Sequence, residues 1–140
     1  MTLILPDRIG TKAETSLAQQ PAPQWGQTTI YPLVLADLRQ QHQRHPALFS
    51  WSDYQILEAD LLTRVQAGLA HYGMPLMTFN GRCAGEDALD EAEDLTLYLR
   101  QEVEEGDADA WPLYDAALRL LVRLAVHVQR KNLDAPILAD

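Results

Sequence analysis

Cysteine is nearly absent from this chain. Cys83 stands alone among 140 residues, which excludes an internal disulfide framework and any zinc cluster built on thiolates. Long apolar runs are missing as well. None approaches the roughly 20 residues needed to span a bilayer. The opening Met1-Thr2-Leu3-Ile4-Leu5-Pro6 is too short for a signal-peptide core and has no basic flank. A reducing cytoplasm is therefore the expected setting. The histidines, His42, His45, His71 and His127, lack zinc-ligand spacing. There is no glycine-rich phosphate loop, and no serine sits in a nucleophile motif.

Basic residues are scarce in one place above all. Between positions 86 and 109 the chain carries Glu86, Asp87, Asp90, Glu91, Glu93, Asp94, Glu102, Glu104, Glu105, Asp107 and Asp109 against Arg100 alone. That block holds a charge of −10, so the rest of the chain contributes +1 to the total of −9. Such a balance argues against direct nucleic-acid binding and against an anionic membrane surface. It leaves three readings: solvated surface, a mimic of nucleic-acid charge, or a trap for cations.

What is present is ordinary for a globular protein: 47% hydrophobic and 22% charged residues in a length that suits one domain. Residues 1–29, with Pro6, Gly10, Pro21, Pro23 and Gly26, show no sustained period and read as a flexible N-terminal arm. Residues 30–140 read as an all-α domain, four helices packed as a bundle. The first opens at Tyr31-Pro32, presents Leu33, Val34, Leu38 and, less cleanly, Leu35, and ends before Pro46. The second starts at Ser50 or Ser52, where Ser52-Asp53-Tyr54-Gln55 has capping-box spacing, and stops at Gly73-Met74-Pro75. Residues 74–85 connect to a third helix over about 86–105, and Pro112 begins a fourth that reaches about Arg130.

At about 100° per residue, with Asp87 at zero, Glu91 falls near about 40°, Asp94 near about 340°, Asp90 near about 300° and Tyr98 near about 20°. Ala88, Ala92, Leu95 and Leu99 fall at about 80–140°, which predicts an acidic stripe beside the core-facing seam. Like charges at these spacings destabilise a helix by a few tenths of a kcal/mol per pair. The macrodipole favours Glu86 and Asp87 near the helix start, but it does not reach Glu91 and Asp94. A hard cation such as Mg²⁺ takes oxygen ligands, and Glu91-x-x-Asp94 offers two from adjacent turns.

Two segments carry a family likeness. His71-Tyr72-Gly73-Met74-Pro75-Leu76 with Asn80-Gly81-Arg82 leads into Asp87-Ala88-Leu89-Asp90-Glu91-Ala92-Glu93-Asp94-Leu95 and Tyr98-Leu99-Arg100-Gln101. Together with Tyr31-Pro32-Leu33-Val34 and Ala36-Asp37-Leu38-Arg39, they resemble phage-encoded relatives of the MazG-like, all-α nucleoside triphosphate pyrophosphohydrolases, over roughly residues 31–128. The resemblance implies metal-dependent cleavage of a (deoxy)nucleoside triphosphate to the monophosphate and pyrophosphate. It also implies a homodimer or homotetramer, placed in the host cytoplasm if phage-encoded. Mg²⁺ or Mn²⁺ would be held by a Glu-x-x-Glu…Glu-x-x-Asp pattern. Glu91 and Asp94 match the second half, which implies that they are the catalytic, metal-binding pair. The first half is missing, since the second helix carries only Asp53, Glu58 and Asp60. Either Glu58 with Asp60, or Asp87, completes the metal shell, or the site is degenerate.

For substrate contacts the candidates are Asn80 and Arg82 in the loop, with Tyr72 and Tyr98 as stacking surfaces. Asn80-Gly81 is equally a plain turn, and for Tyr72 core packing is expected ahead of stacking on a base. Arg119, Arg123 and Arg130, with His127 close by, are expected to form ion pairs with the acidic helix or a partner subunit rather than capture phosphate. The alternative function is a small acidic interaction protein, an inhibitor or nucleic-acid mimic, without catalysis.

Overall fold

The computed structural model describes residues 20–134, all-α apart from one isolated antiparallel bridge, Thr29 with Met77. Its helices are α1 (Tyr31–Arg44), α2 (Trp51–Tyr72), α3 (Ala84–Glu104) and α4 (Ala110–Asp134). They fall into two compact units: Pro21–Arg82 is one, and Gln20 joins the described part of Cys83–Asp140 in the other. The arm expected over 1–29 lies outside the described residues up to position 19.

Residues 21–30 do not behave as an arm. They run as a strap along the connecting loop. Gln24 N–H donates to Asn80 O at 2.7 Å, Gln27 N–H to Thr78 O at 3.1 Å, Thr78 N–H to Thr28 O at 2.8 Å and Ile30 N–H to Leu76 O at 3.0 Å. Sequence periodicity cannot show this pairing, because the partners are some fifty residues away.

α1 begins with Pro32 in its first turn, where the missing N–H costs nothing. Its inward residues are Tyr31, Leu35, Leu38 and His42, whereas Leu33 and Val34 are exposed. The stripe is therefore rotated from the expected one. Ser50, not Ser52, caps α2: Asp53 N–H donates to Ser50 Oγ at 3.1 Å, and Ser50 N–H donates back to Asp53 Oδ2 at 3.2 Å. Starting one residue after Ser50 places Trp51 in the helix, three residues before Tyr54, and the two rings stack at 4.9 Å. Tyr54 is the best buried large side chain of this unit, at 1% exposure. α2 stops at Gly73, whose φ of 72° is the left-handed C-terminal conformation that glycine adopts without strain.

The α3–α4 hairpin is a closer contact. Gly85, Leu89, Ala92, Thr96, Leu99 and Val103 face Ala110, Tyr114, Ala117, Leu121, Leu124 and Val128, with alternating spacings of three and four on both helices. Ala92, Thr96, Ala110, Ala117 and Val128 are buried. Small residues let the backbones approach, and Thr96 hides its hydroxyl by donating to Ala92 O at 2.7 Å. At the hairpin turn Arg100 pairs with Glu104 and lies over the rings of Trp111 and Tyr114, at 5.1 and 5.7 Å.

Candidate functional site

The seam of α3 sits at about 160° on the wheel that puts Asp87 at zero. The acidic stripe therefore lies nearly opposite the packed face, not beside it. Ala88 and Leu95, expected in the core, are exposed, and Gly85, Leu89 and Thr96 take the packed positions. Glu91 and Asp94 are exposed on the outer face, and Tyr98 is 67% exposed beside them. Asp87 is half-buried. Among the described residues no group of three His, Cys, Asp or Glu side chains converges as a metal cage would require.

One partner of this face was invisible in the sequence. The Gln20 amide donates to Asp87 Oδ1 at 2.9 Å and to Cys83 O at 3.2 Å, while its own oxygen accepts from Cys83 N–H at 2.8 Å. Gln20 thereby ties the start of α3 where Cys83 supplies no side-chain cap. Nothing local marks a glutamine for a partner 63 residues away.

The other expected site residues belong to the unit Pro21–Arg82. Glu58 faces Arg39, Oε1 to Nη2 at 3.8 Å. Asn80 is 8% exposed and uses Oδ1 to accept from Arg82 N–H at 3.1 Å, a turn that closes on itself. Arg82 Nη1 donates to Pro21 O at 2.8 Å, so this guanidinium helps hold the strap. Tyr72, expected to pack in the core, is instead 53% exposed, with His71 edge-on at 4.5 Å. Between the two strap-bonded carbonyls, Phe79 sits at φ 54°, strained for a bulky residue.

A second constellation was not anticipated. Arg39, His42 and Gln43 on α1, with Trp51, Tyr54 and Glu58 on α2, line a cleft of about 290 Å³. Arg39 Nε donates to Tyr54 Oη at 2.8 Å, and this bond, with Glu58 adding to it, raises the guanidinium above its ordinary value. His42 Nδ1 lies 2.7 Å from Phe49 O. A carbonyl only accepts, so Nδ1 carries the proton. His42 packs with Trp51 and Tyr54 at ring separations of 5.4 and 6.2 Å.

On the last helix, Arg119 pairs with Asp115 one turn away on the same helix, not with the acidic helix as expected. None of the helices is long and apolar enough, over the described residues, to cross a membrane. Comparison of the chain with family models, curated proteins and solved structures finds no match.

Proposed function

We propose that this protein hydrolyses a (deoxy)nucleoside triphosphate to the monophosphate and pyrophosphate, with Glu91 and Asp94 as the central carboxylates. The observation that carries the reading is the run Asp87, Glu91, Asp94 along one outer face of α3, two of its three side chains open to solvent. Its motivation also includes the MazG-like segments described above. Hard oxygen donors on adjacent turns fit Mg²⁺ or Mn²⁺, which keeps several waters and binds through one or two carboxylates plus substrate phosphates. When bound, such an ion would neutralise phosphate charge and supply an activated water.

The chain's own residues then divide the work. Glu91 and Asp94 would hold the ion on the outer face. Asp87 is already engaged by Gln20 and Glu58 faces the Arg39 guanidinium, so the ion would rest on Glu91 and Asp94 and on the substrate's phosphates. Exposed Tyr98, one turn beyond Asp94, offers a surface for the substrate. The reading carries with it a homodimer or homotetramer and a cytoplasmic setting.

The test is release of pyrophosphate from a full panel of nucleoside triphosphates with Mg²⁺ or Mn²⁺. Glu91→Gln should lower the rate by at least about 100-fold, since even the outer partners of a metal site are worth about 10- to 100-fold. An intact panel, or an unchanged Glu91→Gln rate, refutes the proposal.

The same exposed row of carboxylates favours a second reading, an acidic interaction protein that presents it to a basic partner. Melting with Mn²⁺ and nucleotide separates the two, because ligand binding to the native state raises Tm with occupancy.

A further inference from the structure

The packed seam uses one side of α3 and one side of α4, and both helices belong to a single unit. Arg100, about 60° to one side of the α3 seam, lies over Trp111 and Tyr114, which marks that flank of the hairpin. There α3 adds Glu86 and Glu93, so the flank is charged. The opposite flank differs. Ala88 and Leu95 of α3 and Leu113 and Leu120 of α4 all lie about 60–80° from their seams on that side. Leu99 and Leu124 of the seam border them. Leu95 is 45% exposed, Leu113 58% and Leu120 47%. Where the two helices run side by side, no charged residue interrupts this apolar strip.

The charges beyond the strip form two rows of opposite sign. A carbon added to Gly85 would meet Val128 at 3.5 Å, so these positions are level across the antiparallel hairpin. Stepping along from there, Asp94 is level with Arg119, and Glu91 is within one residue of the level of Arg123. The two rows nevertheless stand on opposite outer faces of one hairpin, and Arg119 pairs with Asp115 of its own helix. Glu91, about 120° from the α3 seam, and Arg123, about 140° from the α4 seam, both lean toward the edges of the apolar strip.

We infer that this strip is the interface with a second copy of the chain, and that the two hairpins form an antiparallel four-helix bundle. A twofold axis can lay the strips together in two ways. Setting α3 on α3 brings the acidic rows side by side, which like charge opposes. Setting α3 on the partner's α4, with the axis along the helices, keeps every level unchanged. Glu91 then meets the partner's Arg123 at both rims. Such rim pairs add little affinity but fix the register. With 21 residues α3 is about 30 Å long, and two helices side by side are about 20 Å wide. The face therefore covers about 600 Å² per copy, or about 1,200 Å² in total, at the lower bound of a specific interface. It also gives a partner to Ala88 and Leu95, apolar residues that the seam leaves outside.

The hydrolase reading carries a homo-oligomer without a face, and this inference is tested without nucleotide or metal. Sedimentation of the full chain at about 100 µM, above the micromolar Kd of modest interfaces, should give twice the chain mass of 15.7 kDa. Leu120→Glu and Leu113→Glu, both on the strip, should give monomers that keep their helical circular-dichroism spectrum. Val122→Glu places the same charge on the opposite flank of α4, at a residue 63% exposed, and should leave the dimer intact. Arg123→Glu should weaken dimerisation several-fold at low salt, and adding Glu91→Arg should restore it. A monomeric wild type, a dimer indifferent to both leucine substitutions, or a charge swap that restores nothing overturns the proposal. The wild-type mass needs no variant, so it decides the matter even if a substitution unfolds the protein. A failed pyrophosphate assay leaves the interface standing, and a monomeric chain leaves Glu91 and Asp94 exposed on α3.

Discussion

Replacing Gly26 with alanine would set a methyl carbon 1.8 Å from the carbonyl oxygen of Thr78 and 2.9 Å from its carbonyl carbon. Both are backbone atoms, so no flexible side chain can swing aside. Relief requires the strap to move away from Thr78 by more than an ångström. Three hydrogen bonds converge on that residue, from Gln27 N–H to its carbonyl at 3.1 Å, from its own N–H to Thr28 O at 2.8 Å, and from Thr28 N–H to Oγ1 at 3.0 Å. At about 1 kcal/mol net each, their loss costs roughly 3 kcal/mol. Part is returned. Phe79, held at φ 54° between strap-bonded neighbours, can relax, which restores about 1 kcal/mol. The expected balance is a destabilisation of about 2 kcal/mol, a fall in Tm of roughly 6–8 °C for a chain of this size. Thermal melting reads the total, and amide exchange by NMR shows where it falls: Thr78 N–H should lose protection while the amides of α4 keep theirs. Should Gly26→Ala melt within about 1 °C of the wild type, with the Thr78 amide still protected, the claim that the strap lies tight on the loop is wrong.

Gly68→Ala is the matching control: nothing lies within 4 Å of the added carbon, so helix propensity should raise stability by about 0.5–1 kcal/mol in a urea melt. Ala117→Leu forces extra volume into the buried seam of α3 and α4 and should cost about 1–3 kcal/mol by the same measurement. Ser50, through its hydroxyl and its N–H, holds the Asp53 carboxyl below its ordinary value. Its contribution is therefore complete above the unfolded pKa of about 4 and is lost as pH falls through the lower native value. The Tm gap between wild type and Asp53→Asn should be constant at neutral pH and close in acid; a gap that widens in acid contradicts the capping geometry.

Helix ends were legible in the sequence because their causes are local. Pro32 opens α1, a serine with an acceptor three residues on opens α2, and Gly73 closes it. Helix faces were less legible. A periodicity reading weights large apolar residues, and so points to Leu95 on α3 and to Leu33 and Val34 on α1, all exposed. The seam of α3 is instead chosen by the residues that allow close approach, Gly85, Ala92 and Thr96. An alanine contributes little to a hydrophobic count but much to how near two backbones can come. The added carbon on Gly85 would already sit 3.5 Å from Val128 Cγ2, ordinary contact distance. Turning the α3 face by this much moved the carboxylates from beside the core to the outside. The aromatic cleft stayed hidden for another reason: it joins residues of two helices, and only the hairpin geometry brings Arg39 near Glu58.

That rotation changes what the acidic residues must be doing. Beside a packed seam, Glu91 and Asp94 would be partly desolvated, and their charges would need compensation merely for α3 to fold. On the outer face water supplies that compensation, and the repulsion between neighbours falls to a few tenths of a kcal/mol per pair. Folding therefore does not demand a cation there. Nor does folding explain the row, because α3 needs only small residues on its opposite side and would accept lysine at positions 91 or 94 with a gain from i,i+4 pairing. Asp87 differs from its neighbours in this respect, since Gln20 engages it while tying the first turn of α3. A row of carboxylates that stability neither requires nor rewards is what the proposed metal reading and its basic-partner alternative both need. Of the acids on α3, Glu91 and Asp94 are where that argument presses hardest.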